Sequence, residues 1–364
     1  MPRQILLNPG PVTLSERVRR ALSAGDWCHR EPEFAALTRE INAALARVYA
    51  PMAAEFEAVC LTGSGTAAVE AMLANFAADD GLTLVLANGV YGERMAAILA
   101  AHGKPHELMQ RDWQAPLDPA ALAERLASGP RVTHVATVQH ETTTGRLNDL
   151  DAVGALCREH DVALLLDAVS SFGAEAIDAE AWNLAALAAT ANKCLHGVPG
   201  ISFVLARSAL WQALPGRAGS VYLDLAPYYA GQHGDGYSPF TQAVQVAFAL
   251  REALAELADG GGWQARRAAY LERARRIHAQ LSELGVATLL DPADYSAVLW
   301  SYRVPDGDRY ARIHDALKAE GFVIYAGQGE LARRVFRVAH MGDIRAADLE
   351  RLCAALERSF GAGR

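Results

Sequence analysis

The sequence predicts an α/β protein with a mostly parallel central sheet flanked by helices, followed by a smaller C-terminal α+β domain. Two observations support this fold. Through the first two thirds of the 364-residue chain, short apolar runs alternate with longer amphipathic stretches. Most runs are bounded by Gly, Asp or Asn and are too short for a typical helix, so they predict buried strands joined by helices. After about residue 250, a long Arg- and Ala-rich helical stretch leads into further strand-like segments.

The candidate strands and helices can be given one by one. The strands of the first part are EAVCLT ending at Thr62, TLVLA at 83–87, VTHVATV at 132–138, ALLLD at 163–167, LAALAAT at 184–190 and ISFVLA at 201–206. TAAVEAMLANFAA and LDAVGALCREH have helical patterns between them. In the second part, AVLWSYRV, FVIYAG and VFRVAH predict strands, and DLERLCAALERSF predicts a final helix. We therefore expect a large domain over residues 1–250 and a small domain over 251–364, with the N-terminal segment contributing to the small domain.

Bulk composition excludes several classes of protein. The formal net charge is −8 and the hydrophobic fraction is 51%, with acids and bases interspersed. This balance argues against a nucleic-acid or membrane partner but leaves room for a small anionic substrate. Five widely spaced cysteines without a C-x-x-C pair predict neither a disulfide framework nor a structural zinc site, and favour a cytoplasmic location. No metal is expected, since His29 and His140 have no partner at ligand spacing.

The first motif with chemical content is Leu61-Thr-Gly-Ser-Gly-Thr66, followed by AAVEAML. A strand runs into a Gly-rich turn that opens a helix, so backbone N–H groups and the helix dipole converge where an anion can bind. Ser64 and Thr66 add hydroxyl groups. The turn is neither a P-loop nor a complete dinucleotide fingerprint, because the Gly-Lys-Ser/Thr and the third glycine are missing. The alternative is an ordinary strand-to-helix turn with a good N-cap.

The second and third motifs place two charges at strand ends. Asp167 ends the apolar run Leu164-Leu-Leu-Asp167, where open α/β sheets form their ligand crevice. If Asp167 is a buried carboxylate, it needs a cationic partner. The alternative is that Asp167 caps the next helix. Lys193 lies between an apolar run and the Gly/Pro-rich turn of Thr190-Ala-Asn-Lys193-Cys-Leu-His-Gly-Val-Pro-Gly200. A lysine can form a Schiff base once its surroundings lower its pKa; taken alone, Lys193 is better explained as a snorkelling surface lysine.

Together the three motifs match the needs of pyridoxal 5′-phosphate. The Gly-rich turn would take the phosphate, Asp167 would keep the pyridine nitrogen protonated, and Lys193 would carry the cofactor as a Schiff base. A protonated ring makes this cofactor an electron sink. The sequence therefore predicts that the large domain binds pyridoxal phosphate and that the protein is an enzyme.

The whole chain resembles the class V, fold-type I aminotransferases. Within that family it is similar to the 2-aminoethylphosphonate–pyruvate transaminase group and its alanine–glyoxylate and serine–pyruvate relatives. The motifs that carry the resemblance are Asn8-Pro-Gly-Pro11, GSGTAAVEA, Asn88-Gly-Val-Tyr-Gly92, His140-Glu-Thr-Thr-Thr-Gly145, LLLDAVSSFG, Ala191-Asn-Lys-Cys-Leu-His-Gly-Val-Pro-Gly200, Ser238-Pro-Phe-Thr241 and Phe336-Arg-Val338.

The resemblance implies a role for each matched residue. Ser64, Gly65 and Thr66 would hold the cofactor phosphate, Tyr91 would stack on the pyridine ring, and Thr142 would hydrogen-bond near the ring hydroxyl. Asp167 and Lys193 would act as described above. Thr241 would reach the cofactor phosphate of a neighbouring subunit, so the active unit would be a homodimer with shared active sites. Arg337 would bind the carboxylate or phosphonate of the substrate. Tyr91 could instead pack the sheet edge, Thr142 could be a plain turn hydroxyl, and Arg337 could be a surface cation.

The implied reaction is a ping-pong transamination in which 2-aminoethylphosphonate and pyruvate become phosphonoacetaldehyde and alanine. The segment Cys28-His-Arg-Glu-Pro-Glu-Phe34 departs from that group and is similar to the alanine/serine–glyoxylate branch, so such an aminotransferase is the first alternative. A lyase acting on a hydroxylated aminophosphonate is a second. A cysteine desulfurase fits poorly, because Cys353 lies in a helical pattern and Cys194 adjoins the lysine. A non-catalytic cofactor-binding scaffold is least favoured, since Lys193 is present.

Overall fold

The computed structural model describes residues 3–214, 216, 218–305, 307 and 309–361. Its strands are β1 (Ile5–Leu6), β2 (Phe56–Gly63), β3 (Leu82–Ala87), β4 (His106–Gln110), β5 (Val132–Val138), β6 (His140–Glu141), β7 (Arg146–Leu147), β8 (Ala163–Asp167), β9 (Leu184–Thr190), β10 (Gly200–Arg207), β11 (Leu299–Arg303), β12 (Phe322–Val323), β13 (Tyr325–Ala326) and β14 (Val335–Ala339). Its helices are α1 (Glu16–Ala21), α2 (Pro32–Arg47), α3 (Gly65–Phe76), α4 (Val90–Ala101), α5 (Pro119–Ala127), α6 (Leu150–Glu159), α7 (Ser208–Gln212), α8 (Leu225–His233), α9 (Val244–Asp259), α10 (Gly262–Glu283), α11 (Tyr310–Ala319) and α12 (Ala346–Gly361).

Seven strands form the central sheet, in the order β2-β10-β9-β8-β5-β3-β4. Neighbours from β9 to β4 pair in parallel, whereas β10 is antiparallel to both β2 and β9. The six apolar runs of the first part of the sequence all form strands of this sheet. The predicted α/β fold with a mostly parallel sheet is confirmed.

The central sheet is covered on both faces. All seven residues of β9 are buried, with Leu187 and Ala189 in one apolar cluster and Ala186 and Ala188 in another. Helices α2 and α9 contribute to the first cluster, and α3 and α4 to the second. Strands buried on both faces read as continuous apolar runs, which explains why these strands were visible in the sequence.

A second, antiparallel sheet has the order β11-β14-β13, and β1 from the N-terminal segment pairs in parallel with β12. These strands share an apolar cluster with α10 and α12 that includes Trp300, Tyr302 and Phe336. Helix α9 continues through residue 250 and packs against the central sheet. The division at residue 250 therefore stays a prediction. None of the described helices is both long and apolar enough to cross a bilayer.

Candidate active site

The topology gathers the predicted site residues at one edge of the central sheet. The carboxyl ends of β3, β5, β8 and β9 lie at the same edge, because these strands are parallel. The turn after β2 opens α3 at that edge as well. The residues that follow these strand ends are Ser64, Gly65, Thr66, Tyr91, Thr142, Asp167 and Lys193. Arg337 comes from β14 of the second sheet.

The Gly-rich turn presents a free helix N-terminus. Ser64 is the N-cap of α3, with extended backbone (φ −78°, ψ 167°), and its hydroxyl makes no capping hydrogen bond. A Cβ at Gly65 would lie 2.7 Å from Cγ1 of Val169, so only glycine lets α3 approach the chain just after Asp167. The first N–H groups of a helix have no partner within it. With the Ser64 hydroxyl they can bind an anion.

Asp167 is a buried carboxylate without a cationic partner in direct contact. Its Oδ1 accepts a hydrogen bond from the backbone N–H of Val169 at 2.9 Å. Burial raises the pKa of Asp167 to about 6, opposed by that hydrogen bond and by the positive charges of Lys193 and Arg94. Within the part of the chain that the structure describes, neither cation hydrogen-bonds to it. A ligand cation placed here would stabilise the ionised form.

Lys193 lies in the turn between β9 and β10 and is half-buried. Its Nζ donates a hydrogen bond to the carbonyl of Pro9. A Cβ at Gly10 would lie 2.7 Å from its Cδ, so the N-terminal segment closes over the lysine. Burial lowers the pKa of Lys193, which favours the neutral amine that a Schiff base or a proton transfer requires.

Tyr91 lies in the first turn of α4, beside a cation that sequence reasoning missed. The guanidinium of Arg94 lies 4.9 Å from the centre of the Tyr91 ring, and its Nη1 donates to Oγ1 of Thr66 at 3.3 Å. Tyr91 and Arg94 are three residues apart, a spacing that puts both side chains on one face of a helix. That spacing is the feature of the sequence that could have indicated Arg94. Arg94 thereby joins the ring of Tyr91 to the Gly-rich turn.

Arg337 is buried and faces no carboxylate at hydrogen-bond distance among the described residues. Its Nε donates to the carbonyl of Ala326 at 2.9 Å and its Nη1 to the carbonyl of Thr142 at 2.8 Å. Two neutral carbonyls orient the guanidinium without neutralising it. Burial lowers its pKa, so an anionic ligand would supply the missing charge.

Thr241 is exposed and precedes α9. Its neighbours anchor the loop to β2: the N–H of Ala243 donates to Oγ1 of Thr62 at 3.1 Å, and Oε1 of Gln242 lies 3.4 Å from the same atom. An exposed position is available to a second subunit. The assignment of Thr241 to a partner's phosphate stays a prediction.

Two further buried groups belong to this edge of the sheet. Glu141 is fully buried, and burial raises its pKa to about 7. His140 donates from Nδ1 to the carbonyl of Ser170 at 3.0 Å, and burial lowers its pKa to about 4, so the ring is neutral. Its Nε2 is buried without a partner among the described residues. Both residues belong to the motif His140-Glu-Thr-Thr-Thr-Gly145, but the sequence alone indicates no active-site role for either.

The combined donor set fits one kind of ligand. It offers a helix N-terminus with hydroxyls for an anion, a carboxylate for a ring cation, an aromatic face, and an amine for a carbonyl carbon. Pyridoxal phosphate carries each complementary group, and the close approach of α3 at Gly65 provides the cradle. Among the described residues, no group of three or more His, Cys, Asp or Glu side chains is arranged to hold a metal ion.

Comparison with known proteins gives a consistent set of relatives. A model of the class-V aminotransferase family matches residues 28–346. The chain is 38% identical over 362 residues to a 2-aminoethylphosphonate–pyruvate transaminase of Burkholderia ambifaria, covering 99% of this chain and 96% of that protein. It is 35% identical over 356 residues to a protein of the same name from Pseudomonas aeruginosa, covering 97% and 95%. Among solved structures, an alanine–glyoxylate aminotransferase from Nostoc sp. matches with a TM-score of 0.89 and 28% identity, covering 99% and 96%.

Proposed function

The chain belongs to the class-V aminotransferase family, and we propose that it uses pyridoxal 5′-phosphate to transfer an amino group from 2-aminoethylphosphonate to pyruvate, giving phosphonoacetaldehyde and alanine. The match over residues 28–346 confirms the family expected from the motifs. The observation that carries the proposal is that Lys193 interacts electrostatically with both Asp167 and Arg337, each of the three being buried or half-buried and none neutralised by an ion pair with another described residue.

The residues that would hold the cofactor lie on four elements. Ser64, Gly65 and Thr66 would bind its phosphate at the N-terminus of α3, where the helix dipole favours an anion. Asp167 would keep a proton on the ring nitrogen, and in return the ring cation would lower the raised pKa of Asp167. Tyr91 would pack against the ring, and Thr142 would lie near its hydroxyl. When bound, the cofactor supplies a sink for the electron pair left on the substrate carbon.

Lys193 would perform the proton transfers. Burial lowers the pKa of Lys193 and so favours a neutral Nζ, the form that can accept a proton. Nζ would take the proton from the amine-bearing carbon of the donor, and the resulting ammonium group would later give that proton back. The carbonyl of Pro9, which accepts a hydrogen bond from Nζ, would orient the lysine between these steps. The same steps in reverse would pass the amino group to pyruvate.

Arg337 would select a donor that carries an anionic group. Its fork can form two parallel hydrogen bonds to a phosphonate or to a carboxylate. The geometry of Arg337 therefore supports an anionic donor, and the identity to the Burkholderia and Pseudomonas relatives supports 2-aminoethylphosphonate in particular.

A panel of amino donors and acceptors tests the substrate. Purified enzyme would receive 2-aminoethylphosphonate, alanine or serine, each with pyruvate or glyoxylate, and products would be measured by NMR. We expect phosphonoacetaldehyde and alanine when 2-aminoethylphosphonate and pyruvate are supplied together. Glycine formed from glyoxylate, with no phosphonoacetaldehyde, would replace this donor by the alanine/serine–glyoxylate alternative. The lyase alternative is tested with a hydroxylated aminophosphonate supplied without any keto acid. Phosphonoacetaldehyde and ammonia formed from it would point to a lyase, because loss of water from such a donor followed by hydrolysis needs no amino acceptor.

Absorbance spectroscopy tests the cofactor independently of the substrate. Protein reconstituted with pyridoxal phosphate should show the visible band of the lysine-bound cofactor. Lys193→Ala should lose that band and all transamination while it keeps the fold by circular dichroism. A colourless wild-type protein after reconstitution would contradict the cofactor proposal.

We also propose that the working unit is a homodimer in the cytoplasm. Thr241 is exposed, and the surface around the Gly-rich turn carries Val221 at 82% and Tyr222 at 39% exposure. Tyr222 donates from its hydroxyl to the carbonyl of Thr62, so these apolar side chains lie close to the proposed phosphate site. Sedimentation should give a dimer, and Thr241→Ala should weaken cofactor binding several-fold. A monomer with unchanged cofactor affinity would contradict this assignment.

A further inference from the structure

Glu141 is a buried carboxyl group to which the mechanism assigns no step. Its side chain is surrounded by hydrogen-bond donors: Oε1 accepts from the backbone N–H of Thr143 at 3.0 Å and from the Thr143 hydroxyl at 2.6 Å, and Oε2 accepts from the N–H of Gly92 at 3.3 Å. A Cβ at Gly89 would lie 2.3 Å from Cδ of Glu141, so the carboxyl group is pressed against the turn before α4. Three donors around one group match an ionised carboxylate, which only accepts hydrogen bonds.

These contacts dock a loop onto the first turn of α4. Gly89 is the N-cap of that helix and has no side chain to cap it. The N–H of Gly92 is capped instead by Glu141, and the N–H of Val90 donates to Oγ1 of Thr143 at 3.0 Å. A negative charge at a helix N-terminus also interacts favourably with the helix dipole. The loop of residues 140–145 therefore fixes the turn that carries Tyr91.

The same loop orients Arg337. Thr142 lies between Glu141 and Thr143, and its carbonyl accepts the hydrogen bond from Nη1 of Arg337 at 2.8 Å. The hydroxyl of Thr143 also lies 3.4 Å from Oε1 of Gln328, in the segment that follows β13. Strand β13 pairs with β14, so that Tyr325 lies opposite Arg337. A shift of the loop would thus move the guanidinium and the segment beside it.

We propose that Glu141 is a positioning residue for the amino donor: by tying the 140–145 loop to α4, it fixes Arg337 and Tyr91 in the arrangement that binds the donor's anionic group. The inference rests on the proposed function only in that an anionic donor binds at Arg337. Whether that anion is a phosphonate or a carboxylate does not change the role of Glu141.

Glu141→Gln tests the role with little change in volume. Whichever way the amide is turned, its NH2 faces at least one N–H donor, so at least one of the three hydrogen bonds is lost. We expect the KM for the amino donor to rise about tenfold, the loss typical of one charge-assisted hydrogen bond. The kcat should change less than about threefold, because Lys193 and Asp167 keep their places. Phosphonoacetate, which has no amine to react, should bind the holoenzyme about tenfold more weakly by calorimetry.

A double-mutant cycle shows whether the effect passes through Arg337. Arg337→Lys keeps the positive charge but cannot reproduce the two guanidinium contacts. If Glu141 acts through Arg337, then Glu141→Gln should add less than about twofold to the KM in the Arg337→Lys background, because effects on one unit are not additive. Additive effects, or a single Glu141→Gln variant with wild-type KM and phosphonoacetate affinity, would overturn the proposal.

Glu175→Gln is the matched control. Glu175 is also buried and also accepts hydrogen bonds, from the Ser296 hydroxyl and the Ala297 N–H, but none of its hydrogen bonds comes from the turn before α4 or from Arg337. The N–H of Ser296 reaches the 140–145 loop at its last residue, where it donates to the carbonyl of Gly145 at 3.0 Å. This variant should leave the KM for the donor within about twofold of the wild-type value, even if its stability falls. A rise in KM equal to that of Glu141→Gln would mean that any lost buried carboxylate perturbs the site, and would overturn a specific role.

The outcomes remain separable from a failure of the proposed function. If the donor panel identifies another anionic amine, the cycle is run with that amine and the expectation for Glu141 is unchanged. If the protein binds no pyridoxal phosphate, the proposed function fails in the absorbance test. Calorimetry with phosphonoacetate then still measures whether Glu141 and Arg337 act together in binding an anion.

Discussion

Buried carboxylates occur in two different settings in this molecule. Glu175 lies in the connection between β8 and β9 and accepts hydrogen bonds from the Ser296 hydroxyl and the Ala297 N–H. It also forms an ion pair with Nε of Arg267 at 2.8 Å. Asp167, at the carboxyl end of β8, has one backbone N–H and no cation in contact among the described residues. The chain satisfies the first charge itself, whereas the second has no cation in contact among the described residues.

Buried charges without a compensating partner distinguish the candidate site from buried groups such as Glu175. A buried charge costs free energy unless it is paired and hydrogen-bonded. Burial raises the pKa of Asp167 to about 6 and of Glu141 to about 7, so ionising either group costs free energy in the folded protein. Arg337 is a buried cation whose described hydrogen bonds go to two neutral carbonyl groups. Groups in this condition cluster at functional sites, and here Glu141 interacts electrostatically with both Asp167 and Arg337.

The largest effect is expected from Asp167→Asn. Asparagine cannot hold a proton on the ring nitrogen, so kcat should fall about a thousandfold, which corresponds to about 4 kcal/mol in the activation free energy. The apo protein should be as stable as the wild type or more stable at pH 7, because an unpaired buried charge is removed. Steady-state kinetics and urea unfolding measure the two quantities. A variant that loses stability and keeps kcat would reverse the comparison.

Glu175→Gln should show the opposite pattern. Removal of one partner from the pair with Arg267 and weakening of the bonds to Ser296 and Ala297 should lower the free energy of unfolding by about 3 kcal/mol. The kcat of the folded protein should stay within about twofold of the wild type. Urea unfolding of the apo protein and kinetics at saturating cofactor test this. Loss of kcat without loss of stability would place Glu175 in the site.

The sequence predicted the buried strands well and the exposed ones poorly. The apolar runs at 132–138, 163–167 and 184–190 coincide with β5, β8 and β9. Strand β4 was missed because HELMQ lies at the sheet edge with much of its surface exposed, so it lacks an apolar run.

The site shows a similar limit. Asp167 and Lys193 could be proposed from the sequence because a charge after an apolar run is unusual. Glu141 could not be assigned in this way, because its meaning depends on Gly89 and Gly92, about fifty residues earlier, and on Arg337, about two hundred later. Such contacts are set by the order of the strands, which one sequence does not specify.

The smallest expected effect is on the pH dependence of stability, to which Glu141 and Asp167 both contribute. Because the pKa of Glu141 is raised from 4.5 to about 7 in the folded protein, the folded state binds more protons than the unfolded state between these values. Stability should therefore fall as the pH rises through this window. Asp167 titrates in the same direction, and its charge contributes to the raised pKa of Glu141, so the wild type alone cannot separate them.

Glu141→Gln isolates the contribution of Glu141 to the pH dependence of the free energy of unfolding. From pH 5 to pH 7 the apo wild type should lose about 2 kcal/mol more of its free energy of unfolding than this variant does. Urea unfolding at both pH values measures the difference. Equal losses would mean that the three donors around Glu141 keep it ionised at pH 5 despite its burial. In that case Glu141 would resemble Glu175, a charge that its own chain satisfies.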